Sequence, residues 1–210
     1  MSEICPLCTA VVSRAFHRDR RRQYIQCANC ELVFVPSKYW INFEEERKVY
    51  DLHQNEIDDL GYQGFLSRLV TPLSKRLYQC AQGLDFGCGP GPALQHMFQK
   101  QGHKVSLYDP HYFPDREVLA NQYDFICATE VVEHLQHPRE DFIQIKNCLG
   151  PDAIFAVMTQ LVISQERFAK WRYIQDPTHI CFYNESSLKF VADLIEKKFE
   201  RIDRDVIFFY

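Results

Sequence analysis

The chain is short of glycine, with eight in 210 residues, yet three of these (Gly87, Gly89 and Gly91) fall within five positions of "LDFGCGPGP". Glycine costs backbone entropy, so a sparing sequence that then clusters it marks a tight turn or a close approach to a ligand. Long hydrophobic runs are also missing. The longest apolar stretch, "AIFAVMTQLVIS" (153–164), falls well short of the roughly 20 residues a membrane span needs. No charged n-region and apolar h-region open the sequence, so the expectation is a soluble, cytoplasmic protein without a membrane partner. With 46% hydrophobic and 14% aromatic residues, the composition supports a packed core and excludes wholesale disorder.

Basic charge is scarce beyond the first forty residues. Those forty carry six Lys/Arg against three acids, for +3, whereas the rest carries 18 basic and 25 acidic groups, for −7. Affinity for phosphate backbones needs positive charge, which disfavours nucleic-acid binding by the body and leaves it open for the head. The candidate contact there is "HRDRRR" (17–22), interrupted by one acid.

An even disulfide framework is lacking too. Of nine cysteines, five are scattered, and an odd total points to a reducing compartment. The other four are paired: Cys5 with Cys8, and Cys27 with Cys30, with 18 residues between the pairs. Two C-x2-C knuckles at this spacing present four thiolates to one tetrahedral ion, so residues 1–40 read as a zinc ribbon. A segment of about 40 residues buries too little apolar surface to stand alone, which makes a structural metal a sufficient reason for its stability. A redox pair or an iron–sulfur site stays open on sequence alone.

Residues 41–82 read as a helical linker or lid, with Gly61 and Gly64 marking a break and Pro72 predicting a kink or two short helices. Tyr50, His53 and Asn55 are candidates to face a ligand. From residue 83 short apolar strands alternate with helices, which predicts an α/β fold: a parallel, Rossmann-like sheet with helices on both faces. Ligands of such sheets bind at the carboxyl ends of the strands, where the glycine loop lies. That loop is not the dinucleotide fingerprint, because Pro92 stands where the last glycine belongs, and it lacks the Lys-Ser/Thr of a P-loop. It reads D-x-G-x-G-x-G, and an acid there (Asp85) repels phosphate and favours a cationic or hydroxylated ligand.

"LDFGCGPG" resembles motif I of class I S-adenosylmethionine-dependent methyltransferases. "VSLYDP" ends in Asp109, which matches the acid that holds the cofactor ribose in that family. "YDFICATEVVEHLQHP" (123–138) resembles the family's fourth-strand segment, and "DPTHICFYNESSL" (176–188) resembles the loop before its last helix. The resemblance covers residues 83–210. It implies a cofactor site built from Asp85, Gly87, Cys88, Gly89, Gly91, Asp109, Thr129 and Glu130, with His179 and His134 as candidate bases. A mononuclear metal site from Glu130, Glu133, His134 and His137 fits the spacing as well. The implied activity is methyl transfer to a small molecule, as in the ubiquinone-type and sugar-modifying members. The alternative is an RNA methyltransferase whose zinc head reads the substrate. One departure stands out: only 13 residues separate Asp109 from Tyr123, where the family fits a helix and a third strand. The adenine contacts must then come from elsewhere, with Tyr108, Pro110 or Tyr112 as substitutes.

Overall fold

The computed structural model describes residues 3–11, 13–52 and 57–210, so His53 and Asn55 lie outside the described residues. The chain begins with a cysteine knuckle. Strands β1 (Ser13–Arg18) and β2 (Gln23–Cys27) follow as an antiparallel hairpin, and β3 (Val33–Phe34) lies beside β2. Asp19 shapes the hairpin turn, its Oδ1 accepting from the backbone N–H groups of Arg21 and Arg22 at 2.7 and 2.8 Å.

Helix α1 (Phe43–Tyr50) opens on a capping box of Asn42 and Glu45. Helix α2 (Leu60–Ser74) is capped by Asp59, whose side chain accepts from the N–H groups of Gly61 and Tyr62. The expected break at Gly61 and Gly64 does not occur, because this cap places both glycines inside the first turns. Nor does Pro72 split the helix. It sits in the last turn, where the missing N–H deprives only the Arg68 carbonyl of a donor.

There follow β4 (Gln82–Phe86), α3 (Ala93–Gln99), β5 (Lys104–Tyr108), β6 (Tyr123–Thr129), α4 (Pro138–Cys148) and β7 (Leu149–Met158). Next come α5 (Gln165–Phe168), β8 (Cys181–Phe182), α6 (Glu185–Leu194), β9 (Phe199–Arg201) and β10 (Val206–Phe209). Six strands form the main sheet in the order β5-β4-β6-β7-β10-β9. The first four run parallel, but β10 runs antiparallel to β7 and to β9, so the sheet is mixed where alternation alone predicts a parallel one. The turn between β9 and β10 is too short for a parallel crossover, which takes a dozen residues or more.

Residues 110–122 are cut short as expected. They hold an isolated bridge between Asp109 and Phe113 and one 3-10 turn at Arg116–Ala120, and β5 forms the sheet edge. Both faces of the sheet are buried, which is why its strands read as continuous apolar runs. Phe125, Cys127, Ile154, Ala156 and Phe208 pack with α2 and α3, while Ile126, Ala128, Phe155, Val157 and Phe209 pack with α4 and α6.

The head shares this architecture. Strand β8, lying between α5 and α6, pairs with β3 (Val33 opposite Phe182, Phe34 opposite Cys181) and completes a second sheet of order β1-β2-β3-β8. Arg22 is 6% exposed, and its guanidinium donates to the carbonyls of Ile174, Asp176 and Pro177 at 2.8, 2.7 and 3.1 Å. One arginine of the basic run is therefore an internal clamp on the 174–177 loop.

Candidate active site

The carboxyl ends of β4, β5 and β6 open into a cavity of about 720 Å³. Its floor is the loop after β4. Gly87 turns with φ +78°, and a Cβ there would strike Val131 at 2.6 Å, so the turn requires glycine. Gly89 has φ +63° with nothing within 4 Å of its would-be Cβ, which leaves its backbone bare toward the cavity. The carboxylate of Asp109 pins the loop: Oδ2 accepts from Gly89 N at 2.9 Å, and Oδ1 from His111 N and Tyr112 N at 2.8 and 3.1 Å.

Asp85, at the end of β4, is 2% exposed, and its Oδ1 has no hydrogen-bond partner among the described residues. Burial, with the negative charge of Asp109 nearby, pushes its carboxyl up to about 7. A buried carboxylate left without a donor implies a ligand that supplies one.

Helix α1 lies over the mouth. Phe43 stacks on His111 with centroids 3.9 Å apart, Glu46 Oε2 lies 3.4 Å from His111 Nε2, and Tyr112 Oη donates to Asp51 at 2.6 Å. The loop that replaces the absent third strand is thus met by the capping helix, and His111 and Tyr112 both line the cavity.

The far wall is built by the turn after β6 and the 173–179 loop. Glu130 sits at the end of β6 with φ 52°, a left-handed conformation that is uncommon outside glycine and recurs at functional sites. Burial and the neighbouring Glu133 raise its carboxyl to about 9. Glu133 is fully buried and accepts from the hydroxyls of Tyr173 and Thr159, and burial lifts it to about 7.

The backbone bond from Ile180 N to Glu133 O, 2.9 Å, draws the two segments together. As a result the His134 and His179 rings meet edge to face with centroids 4.6 Å apart, Tyr173 lies 4.0 Å from His179, and Tyr50 of α1 lies 5.4 Å from His134. His179 Nδ1 is 2.8 Å from the Tyr173 carbonyl. A carbonyl only accepts, so this nitrogen carries the proton and Nε2 is the basic one.

All ten residues named for cofactor and catalysis from the sequence line this one cavity: Asp85, Gly87, Cys88, Gly89, Gly91, Asp109, Thr129, Glu130, His134 and His179. Burial, with Asp85 and Asp109 nearby, raises the Cys88 thiol well above its ordinary value and leaves it unreactive. The ligating atoms that come within 4.8 Å of one another belong to Glu133, His134 and His179, a different set from the spacing-based quartet with Glu130 and His137. Both Glu133 oxygens already hold hydroxyls, so that carboxylate fixes Tyr173 in place. Sequence reasoning passed over Tyr173, Asp176, Glu46 and His111. The available signal was the Asp-Pro-Thr-His run, in which Asp176 Oδ1 accepts from Thr178 N at 2.8 Å and so turns His179 inward.

In the head, the four sulfurs of Cys5, Cys8, Cys27 and Cys30 lie within 4.8 Å of one another, with Cys5–Cys30 at 3.6 Å and Cys8–Cys27 at 3.4 Å. A tetrahedral ion with metal–sulfur bonds of about 2.3 Å sets sulfurs about 3.8 Å apart, so the cluster has the dimensions of a metal site. The Cys5–Cys30 contact is one shared proton, which lowers the Cys5 thiol and raises that of Cys30.

Among solved structures, the fold is similar to that of 1,6-didemethyltoxoflavin-N1-methyltransferase from Burkholderia thailandensis, solved with its substrate and S-adenosylhomocysteine. Identity is 13%, coverage is 93% of this chain and 97% of that one, and the TM-score is 0.51. A protein from Galdieria sulphuraria described as a candidate sarcosine dimethylglycine methyltransferase is similar at 15% identity, 72% coverage of each chain and TM-score 0.51. No curated protein sequence matches the chain. The family model described as "Methyltransferase domain" matches residues 59–193, well over half of the sequence. With that match laid over the acid–glycine loop and the sheet that carries it, the chain belongs to the methyltransferase domain family, as an S-adenosylmethionine-dependent class I enzyme.

Proposed function

We propose that the protein transfers a methyl group to a small-molecule acceptor held inside this cavity. The observation that carries the reading is the buried, unpartnered Asp85 Oδ1 beside the bare backbone of Gly89. Together they make a cradle for a ligand with a cationic, hydrogen-bond-donating end. The cofactor, when bound, supplies an electrophilic methyl on a sulfonium. Asp85 would accept from its cationic end, Gly87, Gly89 and Gly91 would let backbone approach it, and Asp109 would take the ribose hydroxyls. Thr129 and Glu130 would close the floor, and Tyr112 and His111 would meet the adenine in place of the absent strand.

The chain's own contribution is alignment and exclusion of water, which is catalysis by proximity. His179 Nε2 is the proton acceptor. Its tautomer is fixed by the Tyr173 carbonyl, and Asp176 Oδ2 lies 3.9 Å from Nε2 to balance the imidazolium that forms. His134 packs against His179 and orients it. The head reads as a structural zinc site on Cys5, Cys8, Cys27 and Cys30, a closed set with no open position. The RNA alternative rests on the basic run, and Arg22 of that run serves the internal clamp.

Calorimetric titration of S-adenosylhomocysteine tests the reading. Micromolar binding that weakens at least tenfold in Asp109→Ala is expected. Salt-sensitive binding of RNA in place of small acceptors would move the assignment to the alternative.

A further inference from the structure

The cavity is lined by many acids and few bases. Glu46, Asp85, Asp109, Glu130, Asp141 and Asp176 line the cavity, and among the described residues its basic side chains are histidines alone, with no lysine or arginine. Asp85, Asp109 and Glu130 are assigned to the cofactor and Glu46 faces His111 at the mouth, which leaves Asp141 and Asp176 for the acceptor.

Of these two, Asp176 is the one whose surroundings favour the carboxylate. Burial alone would raise it, but hydrogen bonds from Thr178 and the proximity of His179 and His134 hold it below the usual carboxylate range. The rings of Tyr50 and Tyr173 line the same cavity, Tyr50 against His134 and Tyr173 against His179. A carboxylate in a cavity without lysine or arginine among its described lining suits a cation through charge.

The same wall argues against other nucleophiles. A hydroxyl, a carboxylic acid or an enolisable carbon attacks as an anion or a partial anion, and the positive group the mechanism would set against it, the His179 imidazolium, is already matched by Asp176 at 3.9 Å. An amine enters as a cation and leaves as one. Resting on the methyl-transfer reading above, we propose that the acceptor is an amine, bound as its ammonium against Asp176 in the part of the cavity that Tyr50 lines. The ammonium first gives a proton to His179 Nε2. The freed nitrogen lone pair then forms the N–C bond to the methyl as the C–S bond breaks and its electron pair passes to sulfur. The methylated ammonium and S-adenosylhomocysteine leave, and His179 releases its proton to water, so atoms and charge balance.

The test uses the full-length, metal-loaded protein saturated with S-adenosylhomocysteine. Three probes of matched ring and reach (2-phenylethylamine, 2-phenylethanol and phenylacetate) are titrated calorimetrically. The amine should bind at least tenfold more tightly than either of the others. Asp176→Asn should remove most of that preference, and Tyr50→Leu should reduce it several-fold, with S-adenosylhomocysteine binding confirming that each variant is folded. Equal or tighter binding of the alcohol or acid, an unchanged preference in both variants, or no amine binding to the saturated protein would overturn the proposal. Failure of S-adenosylhomocysteine itself to bind would instead overturn the methyl-transfer reading beneath it.

Discussion

At the scale of the residue, the site is defined by groups held in forms they would not adopt in water. Asp85 is raised to about 7 by burial and by Asp109, so the folded state takes up its proton more readily than the unfolded chain. That contribution to stability is complete below the unfolded carboxylate pKa and is lost as pH climbs toward 7. A cationic ligand favours the carboxylate. S-Adenosylmethionine affinity should therefore rise between pH 6 and 8, with proton release on binding at the lower end, and Asp85→Asn should flatten the profile; calorimetry in buffers of different ionisation enthalpy reads both. Glu130 is the second case. Its left-handed backbone costs roughly 1 kcal/mol that glycine would not incur. Glu130→Gly should leave the melting temperature unchanged or higher by a few degrees while turnover falls at least tenfold. Of these residues, the acid–glycine loop was legible because clustered glycines are rare in this chain, and Asp109 because it ends a strand. Glu46, His111 and Tyr173 were not, since each becomes a cavity residue only through elements far apart in the sequence.

At the scale of the element, the strand–helix alternation told the fold well, because both faces of the sheet are buried and the apolar runs are unbroken. What it hid was direction and partnership. Strand β8 is two residues long, too short for any periodicity, and its partner β3 lies some 150 positions earlier. Pro72 and the two glycines of α2 misled for a related reason: their effect depends on where the helix begins and ends, which the Asp59 cap decides. The clamp of Arg22 on the 174–177 carbonyls is the clearest element-level device. Arg22→Ala would take the guanidinium donors from the buried Ile174 carbonyl and the half-buried carbonyls of Asp176 and Pro177, at roughly 1–3 kcal/mol for an unsatisfied buried group before relaxation. A drop in stability of about 2–4 kcal/mol is expected in denaturant titrations. S-Adenosylhomocysteine affinity should stay within about threefold while turnover falls sharply, because the clamp holds Tyr173, Asp176 and His179 but not the glycine loop.

At the scale of the molecule, the head and the sheet share one core, since Tyr24, Leu32 and Phe34 cluster with Phe168, Phe182 and Tyr183. Metal removal should therefore do more than unfold forty residues. A strong chelator is expected to lower the melting temperature of the whole protein in one transition, with loss of the 172–182 loop's order and of turnover together. Two separate transitions, the second unshifted, would show the head to be an independent cap. The cysteine spacing announced a four-cysteine cluster, but the pairing of β3 with β8 and the clamp on the 174–177 loop follow only from the fold.

The most direct test of the account is titration of S-adenosylhomocysteine into the metal-loaded protein, alongside Asp109→Ala and Asp85→Asn. One site of micromolar affinity is expected in the native protein, at least tenfold weaker in Asp109→Ala and clearly weaker in Asp85→Asn above pH 7. Binding that neither substitution alters, or no binding by a folded protein, would contradict the assignment of this cavity as the cofactor site.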